Sequence, residues 1–136
     1  MIKGSCMCRK VTYAIKGKIS DITHCHCTTC RKAHGSAFSS VAAVQIEDFE
    51  LTTGSDLIKC FRSSPDKVRC FCLNCGSHIY AHREGQNHYI LRLGTLDDDP
   101  GARPVNHIWL SLKASWYEPE TDCSLPKYEE WADDRQ

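Results

Sequence analysis

Cys25-His26-Cys27-Thr28-Thr29-Cys30 is the stretch that decides how this chain is read. Three thiols within one short turn cannot all pair with one another, because a disulfide consumes them two at a time. They can, however, converge on a single soft metal ion. Working outward, the next cysteines also come in close pairs, Cys6-x-Cys8 before the stretch and Cys72-x-x-Cys75 well after it. Those four thiolates are enough to complete a closed tetrahedral zinc shell. Two short chelating pairs far apart in sequence fasten distant strands to each other, so that metal binding becomes folding energy. The competing reading is a set of unrelated buried free cysteines.

Assigning the outer four to their own site leaves Cys25, Cys27 and Cys30 one ligand short. Three protein ligands with an exchangeable fourth position is the arrangement of catalytic zinc. Three thiolates make the metal a poor acid toward bound water but a good partner for a fourth sulfur. A thiol held there loses its proton and stays electron-rich, ready to attack an electrophilic carbon. The competing reading is an inert Cys3His site closed by His24, His26, His34 or a more distant histidine. Strand alternation turns His24 and His26 away from the face that carries their cysteine neighbours. His34, four residues beyond Cys30 on the same face of a helical turn, is the histidine to check. Cys70 shares a strand face with Cys72 and could replace it as a ligand, while Cys60 and Cys123 read as buried free thiols.

Composition narrows the class. The chain has 136 residues, 41% hydrophobic and 25% charged, as expected of one ordinary globular domain spanning residues 1–136. Seventeen basic and seventeen acidic residues cancel, and no basic run exceeds a pair, which argues against a nucleic-acid partner. The first residues lack an apolar signal core and no stretch has the length of a membrane span, so a cytoplasmic location is expected. Ten cysteines in a reducing compartment suggest metal before disulfides. No G-x-S-x-G elbow, H-E-x-x-H, glycine-rich phosphate loop or deaminase signature is present, which removes the main support for those chemistries.

Patterning makes the chain mainly β. Val11, Tyr13 and Ile15 alternate with polar neighbours, and further strands are expected near residues 19–25, 37–44, 49–52, 57–62, 67–72, 78–82, 88–93 and 107–110. Residues 28–34 are expected to form one or two helical turns with Thr28 or Thr29 as N-cap and Gly35 as the stop. Gly76 closes the Cys72–Cys75 knuckle, where positive φ is needed. A short terminal helix is expected over residues 128–131.

Taken together, Gly4-x-Cys6-x-Cys8 with Val11-x-Tyr13, Cys25-x-Cys27-x-x-Cys30-Arg31 with Gly35, and Arg69-x-Phe71-Cys72-x-x-Cys75-Gly76-Ser77 resemble the glutathione-dependent formaldehyde-activating enzyme family. That family shares its domain with centromere protein V. Gly94-x-Leu96-Asp97 and Pro104-x-x-His107-Ile108 running to Lys113-x-x-Trp116 extend the match over residues 4–117. The resemblance implies an Mss4-like fold of small antiparallel sheets, a structural zinc at Cys6, Cys8, Cys72 and Cys75, and a second zinc at Cys25, Cys27 and Cys30. It implies a carbon–sulfur lyase equilibrium in which glutathione and formaldehyde form S-hydroxymethylglutathione. Arg31 and Arg69, with Lys32 and Arg62 behind them, are the candidates to bind glutathione's carboxylates. A zinc-stabilised binding module and a thiol-based redox sensor are the competing functional classes.

Overall fold

The structure is a computed structural model and describes residues 1–120 together with Pro126 and Tyr128. Ten strands and one helix follow in the order β1 (Ile2–Ser5), β2 (Thr12–Ile15), β3 (Ile22–Cys25), α1 (Thr28–His34), β4 (Ser39–Gln45), β5 (Phe49–Thr53), β6 (Ile58–Ser64), β7 (Lys67–Cys72), β8 (His78–Arg83), β9 (His88–Arg92) and β10 (Pro104–Ile108). The chain is mainly β, as the alternating pattern requires. One sheet has the order β1-β2-β5, the other β10-β3-β4-β9-β8-β7-β6.

The hydrophobic core lies where inward residues of the two sheets meet. Tyr13 and Ile15 of β2, Val44 of β4, Ile79 of β8 and Leu91 of β9 are all fully buried there, with Val11 just ahead of β2. Gly4 is required by this packing: a methyl group at that position would overlap the ring of Tyr13. The Tyr13 hydroxyl in turn hydrogen-bonds Thr95 at 2.7 Å, which ties the first sheet to the segment following β9.

Among the described residues every strand pair is antiparallel except one. β10 runs parallel to β3, with His107 opposite His24 and Ile108 opposite Cys25. After β9 the chain makes a 3-10 turn at Leu93–Thr95 and an acidic excursion, then crosses to the far edge of the sheet instead of turning back on its neighbour. A long crossover of this kind is what parallel pairing requires. β10 stops at Ile108, short of the expected strand end. Trp109 takes a left-handed conformation at φ 59° and starts another 3-10 turn.

Helix α1 starts one residue earlier in function than expected. Its N-cap is Cys27, whose Sγ accepts the backbone N–H of Cys30 at 3.3 Å, and not Thr28 or Thr29. A sulfur fills the role that a hydroxyl usually has. Gly35 closes the helix at φ 58°, as expected. Residues 129–131 of the expected terminal helix, and Cys123, lie outside the described residues. Among the described residues no helix is long and apolar enough to cross a membrane.

Candidate metal and thiol site

Two groups of sulfurs form in the fold. Cys6 and Cys8 sit in the turn after β1, Cys72 at the end of β7 and Cys75 in the knuckle that follows, and their Sγ atoms all lie within 4.8 Å of one another. Cys6 and Cys8 are 3.5 Å apart and Cys8 and Cys72 3.9 Å apart. Four sulfurs at the usual 2.3 Å from one zinc ion would be separated by about 3.8 Å, so the donor set fits a tetrahedral ion. The knuckle is built by local bonds: Gly76 N–H donates to the Cys72 carbonyl at 2.7 Å, with Gly76 at φ 80°. Val11 N–H donates to Cys6 Sγ at 3.3 Å, an N–H···S contact suited to an electron-rich sulfur.

The second group is Cys25, Cys27 and Cys30, again within 4.8 Å. β3 delivers Cys25, and the cap of α1 places Cys27 and Cys30 on either side of the same turn. No histidine nitrogen among the described residues joins these sulfurs within that distance. His34 instead packs against His78, ring centroids 5.0 Å apart. His26 is fully buried on the opposite side, its Nε2 2.8 Å from Nδ1 of His107. His24 stacks on Phe38.

The electrostatics around the triad are strongly cationic. Arg69 from β7 is 5% exposed; its Nη1 points at Cys30 Sγ at 3.9 Å and its Nε donates to Ser63 at 3.1 Å. Arg92, at the end of β9, is equally buried, and burial lowers its guanidinium to about 10 against the pull of the nearby thiols. Cys30 is held well below the usual thiol range, chiefly by the hydrogen bond with Cys25 and further by the charge on Arg92. Cys25 is pushed the other way by the same hydrogen bond and by burial. The three sulfurs open onto a pocket of about 360 Å³ whose other walls include Lys67, Arg83, Arg92, Ile108 and Trp109. Arg83 is already bound to Asp66 through two contacts of 2.8 and 2.9 Å, whereas Lys67 and Arg92 have no carboxylate partner among the described ion pairs.

Residues 1–112 match the family described as glutathione-dependent formaldehyde-activating enzyme. The chain belongs to that family. Two curated relatives, from Aspergillus flavus and Aspergillus oryzae, are each 29% identical over 117 residues and carry the provisional name of glutathione-dependent formaldehyde-activating enzyme. The match covers 85% of this chain but only 56% of each relative, so the chain spans little more than half their length. A Rhodobacter sphaeroides protein of known crystal structure superposes with a TM-score of 0.61 at 19% identity, over 76% of this chain and 99% of that one. At that identity the likeness concerns the fold.

Within this family member the sequence-derived arginines separate. Arg69 lies against Cys30. Arg31 sits in the last turn of α1 with its Nε buried. Arg62 is engaged with the Pro65 carbonyl and Glu84, and Lys32, though exposed, lines one cavity of about 510 Å³ together with Arg69. Lys67, Arg83 and Arg92 were missed. Arg92 had a visible signal, a lone guanidinium directly after the apolar run Tyr89-Ile90-Leu91.

Cys60 and Cys70 require a correction. Cys60 is exposed, not buried, and forms a disulfide with Cys70, which therefore stands outside the outer thiol group. The reason is register: β6 pairs with β7 so that Cys60 faces Cys70 directly, Cα atoms 4.1 Å apart. That is the close spacing of a non-hydrogen-bonded antiparallel pair.

Proposed function

We propose that the protein is a zinc-dependent enzyme that makes and breaks a carbon–sulfur bond in a thiol adduct, most simply glutathione with formaldehyde as S-hydroxymethylglutathione. The observation that carries this reading is the triad Cys25, Cys27 and Cys30, which meets no fourth protein ligand among the described residues and opens into a cation-lined pocket. Zinc bound there supplies Lewis acidity toward sulfur, favouring the thiolate form of an incoming thiol. Cys6, Cys8, Cys72 and Cys75 would hold a second, closed zinc that joins the N-terminal turn to the β7 knuckle.

The chain's own residues do the rest. Three cysteine thiolates and a substrate thiolate concentrate negative charge in a confined space. Arg69, Arg92 and Lys67 stand around it with three positive charges, which stabilises the thiolate both as nucleophile and as leaving group. Ser63 helps to orient Arg69 by accepting a hydrogen bond from its Nε. Ile108, Trp109 and Leu112 add apolar surface to the pocket wall. Such a pocket suits an anionic thiol, and glutathione is one.

The test is to count zinc in the purified protein and in Cys27→Ser, then follow the zinc absorption edge while glutathione is added. Two ions in the parent, one in the variant and a sulfur joining the second site are expected. An edge that ignores glutathione would sink the enzymatic reading and leave a zinc-stabilised binding module.

A further inference from the structure

Next to the thiol pocket, and sharing Arg92 with it, lies a second cavity of about 370 Å³. Its walls include His34, Ser36, Ser39, Ser40, His78 and Arg92, and no carboxylate among the described residues lines it. Four of those six residues present buried side-chain atoms with no hydrogen-bond partner among the described residues: His34 Nε2, His78 Nδ1, Ser39 Oγ, and both Nε and Nη2 of Arg92. Native folds leave few such atoms, and five around one cavity call for an occupant. The character of the five tells what kind.

Arg92 is 4% exposed and belongs to none of the ion pairs among the described residues. Water could satisfy hydroxyls and imidazoles, but it would leave a buried guanidinium charge uncompensated. The triad answers part of that charge, yet Arg69 already stands against Cys30 and Lys67 faces the same sulfurs. Arg92 lines both cavities, so its charge is available to an anion in the second as well as to the triad in the first. Its two free nitrogens, Nε and Nη2, form one edge of the planar guanidinium. Two parallel N–H donors on one edge match the two oxygens of a carboxylate. The two imidazoles are further donors lining this cavity, and so is the Ser39 hydroxyl, which also acts on Cys30.

We propose that this cavity is a carboxylate-binding site, with the Nε–Nη2 edge of Arg92 taking both oxygens and Ser39, His34 and His78 completing the shell. Because Arg92 also lines the thiol pocket, one source of the carboxylate is the co-substrate whose sulfur sits at the cysteine triad. That assignment rests on the proposed function, whereas the site itself does not. The other source is a free small carboxylate.

The experiment follows the ring Hε1 signals of His34 and His78 by NMR in the zinc-loaded protein while acetate replaces chloride at constant ionic strength. A saturable shift of both signals is expected, weakened at least tenfold in Arg92→Gln. Ser40→Asp, which places a carboxylate in the cavity and leaves Arg92 intact, should weaken it as much and serves if Arg92→Gln does not fold. Glutathione is then compared with its dimethyl ester, which keeps the thiol. Displacement of acetate by glutathione and not by the ester assigns the site to the co-substrate's carboxylate. Saturable acetate binding that neither thiol displaces assigns it to free carboxylates and supports the site even if the zinc edge ignores glutathione. Shifts that do not saturate, or that persist unchanged in either variant, overturn the proposal.

Discussion

Arg69 Nη1 lies 3.9 Å from Cys30 Sγ, a contact that joins residues 39 positions apart in the chain. It puts a fixed positive charge on one side of the thiol triad and makes β7 a member of both cysteine groups, since the same strand ends in Cys72. On the proposed function, replacing Arg69 by Met should leave the zinc content unchanged and lower kcat/KM for S-hydroxymethylglutathione formation by about 10- to 100-fold. That is the worth of a charge-assisted hydrogen bond of about 1.5–3 kcal/mol. Arg69→Lys should recover part of the loss. Steady-state kinetics beside metal analysis checks this, and a variant with parental kinetics would remove Arg69 from the machinery.

His26 gives a different kind of prediction. Among the described residues its Nε2 is satisfied only by His107, and it is packed among the rings of Phe38, His107 and Tyr117. Removing the partner in His107→Ala leaves a fully buried nitrogen without its bond, at a cost of about 1–3 kcal/mol. Urea unfolding measures that loss. Zinc content should not change, because His26 faces away from the sulfurs; loss of one ion would make it a ligand.

The Cys60–Cys70 bridge closes a short hairpin loop with a sequence separation of 10. Constraining the unfolded chain over such a loop contributes about 2–3 kcal/mol. Cys60→Ala removes only an exposed side chain from β6, so most of its destabilisation should be this term. Denaturant midpoints of the oxidised parent and the variant provide the comparison. Equal midpoints would mean that the bridge does not form in solution.

Burial lowers His34 from 6.5 to about 4. Its folded pKa is below the unfolded one, so on acidification the unfolded chain takes up the proton first. His34 therefore costs nothing above about pH 6.5 and destabilises the fold progressively as pH falls from there toward about 4. The melting temperature of His34→Gln should fall less than that of the parent across this window. Parallel curves would show that the imidazole titrates normally.

The thiol constellation was legible because its ligands sit in short local patterns, where two or three residues of spacing decide which sulfurs can meet. The strands were legible from alternation for the same reason. What escaped depends on distant pairing. Nothing local to Pro104–Ile108 says that it will lie parallel to β3, because only the crossover after β9 decides that. Lys67 and Arg92 become site residues because β7, β8, β9 and β4 are neighbours in one sheet, a fact absent from either residue's surroundings in sequence. The Cys60–Cys70 pair is an intermediate case. Both residues are equidistant from Pro65 in the β6–β7 turn, so counting outward from that turn would have found it.

The separation of the two cysteine groups along the chain also bears on how the molecule assembles. Cys25, Cys27 and Cys30 are neighbours before any folding, whereas Cys8 and Cys72 are 64 residues apart. Closing a loop that long costs roughly 2 kcal/mol more than closing one of about five residues. On the proposed metal assignment, an ion meeting the newly made chain is gathered by the local triad first. The outer four can close only after the two sheets have met. When zinc is scarce, the reactive position is thus supplied ahead of the one that fastens the frame, and maturation waits on the second ion.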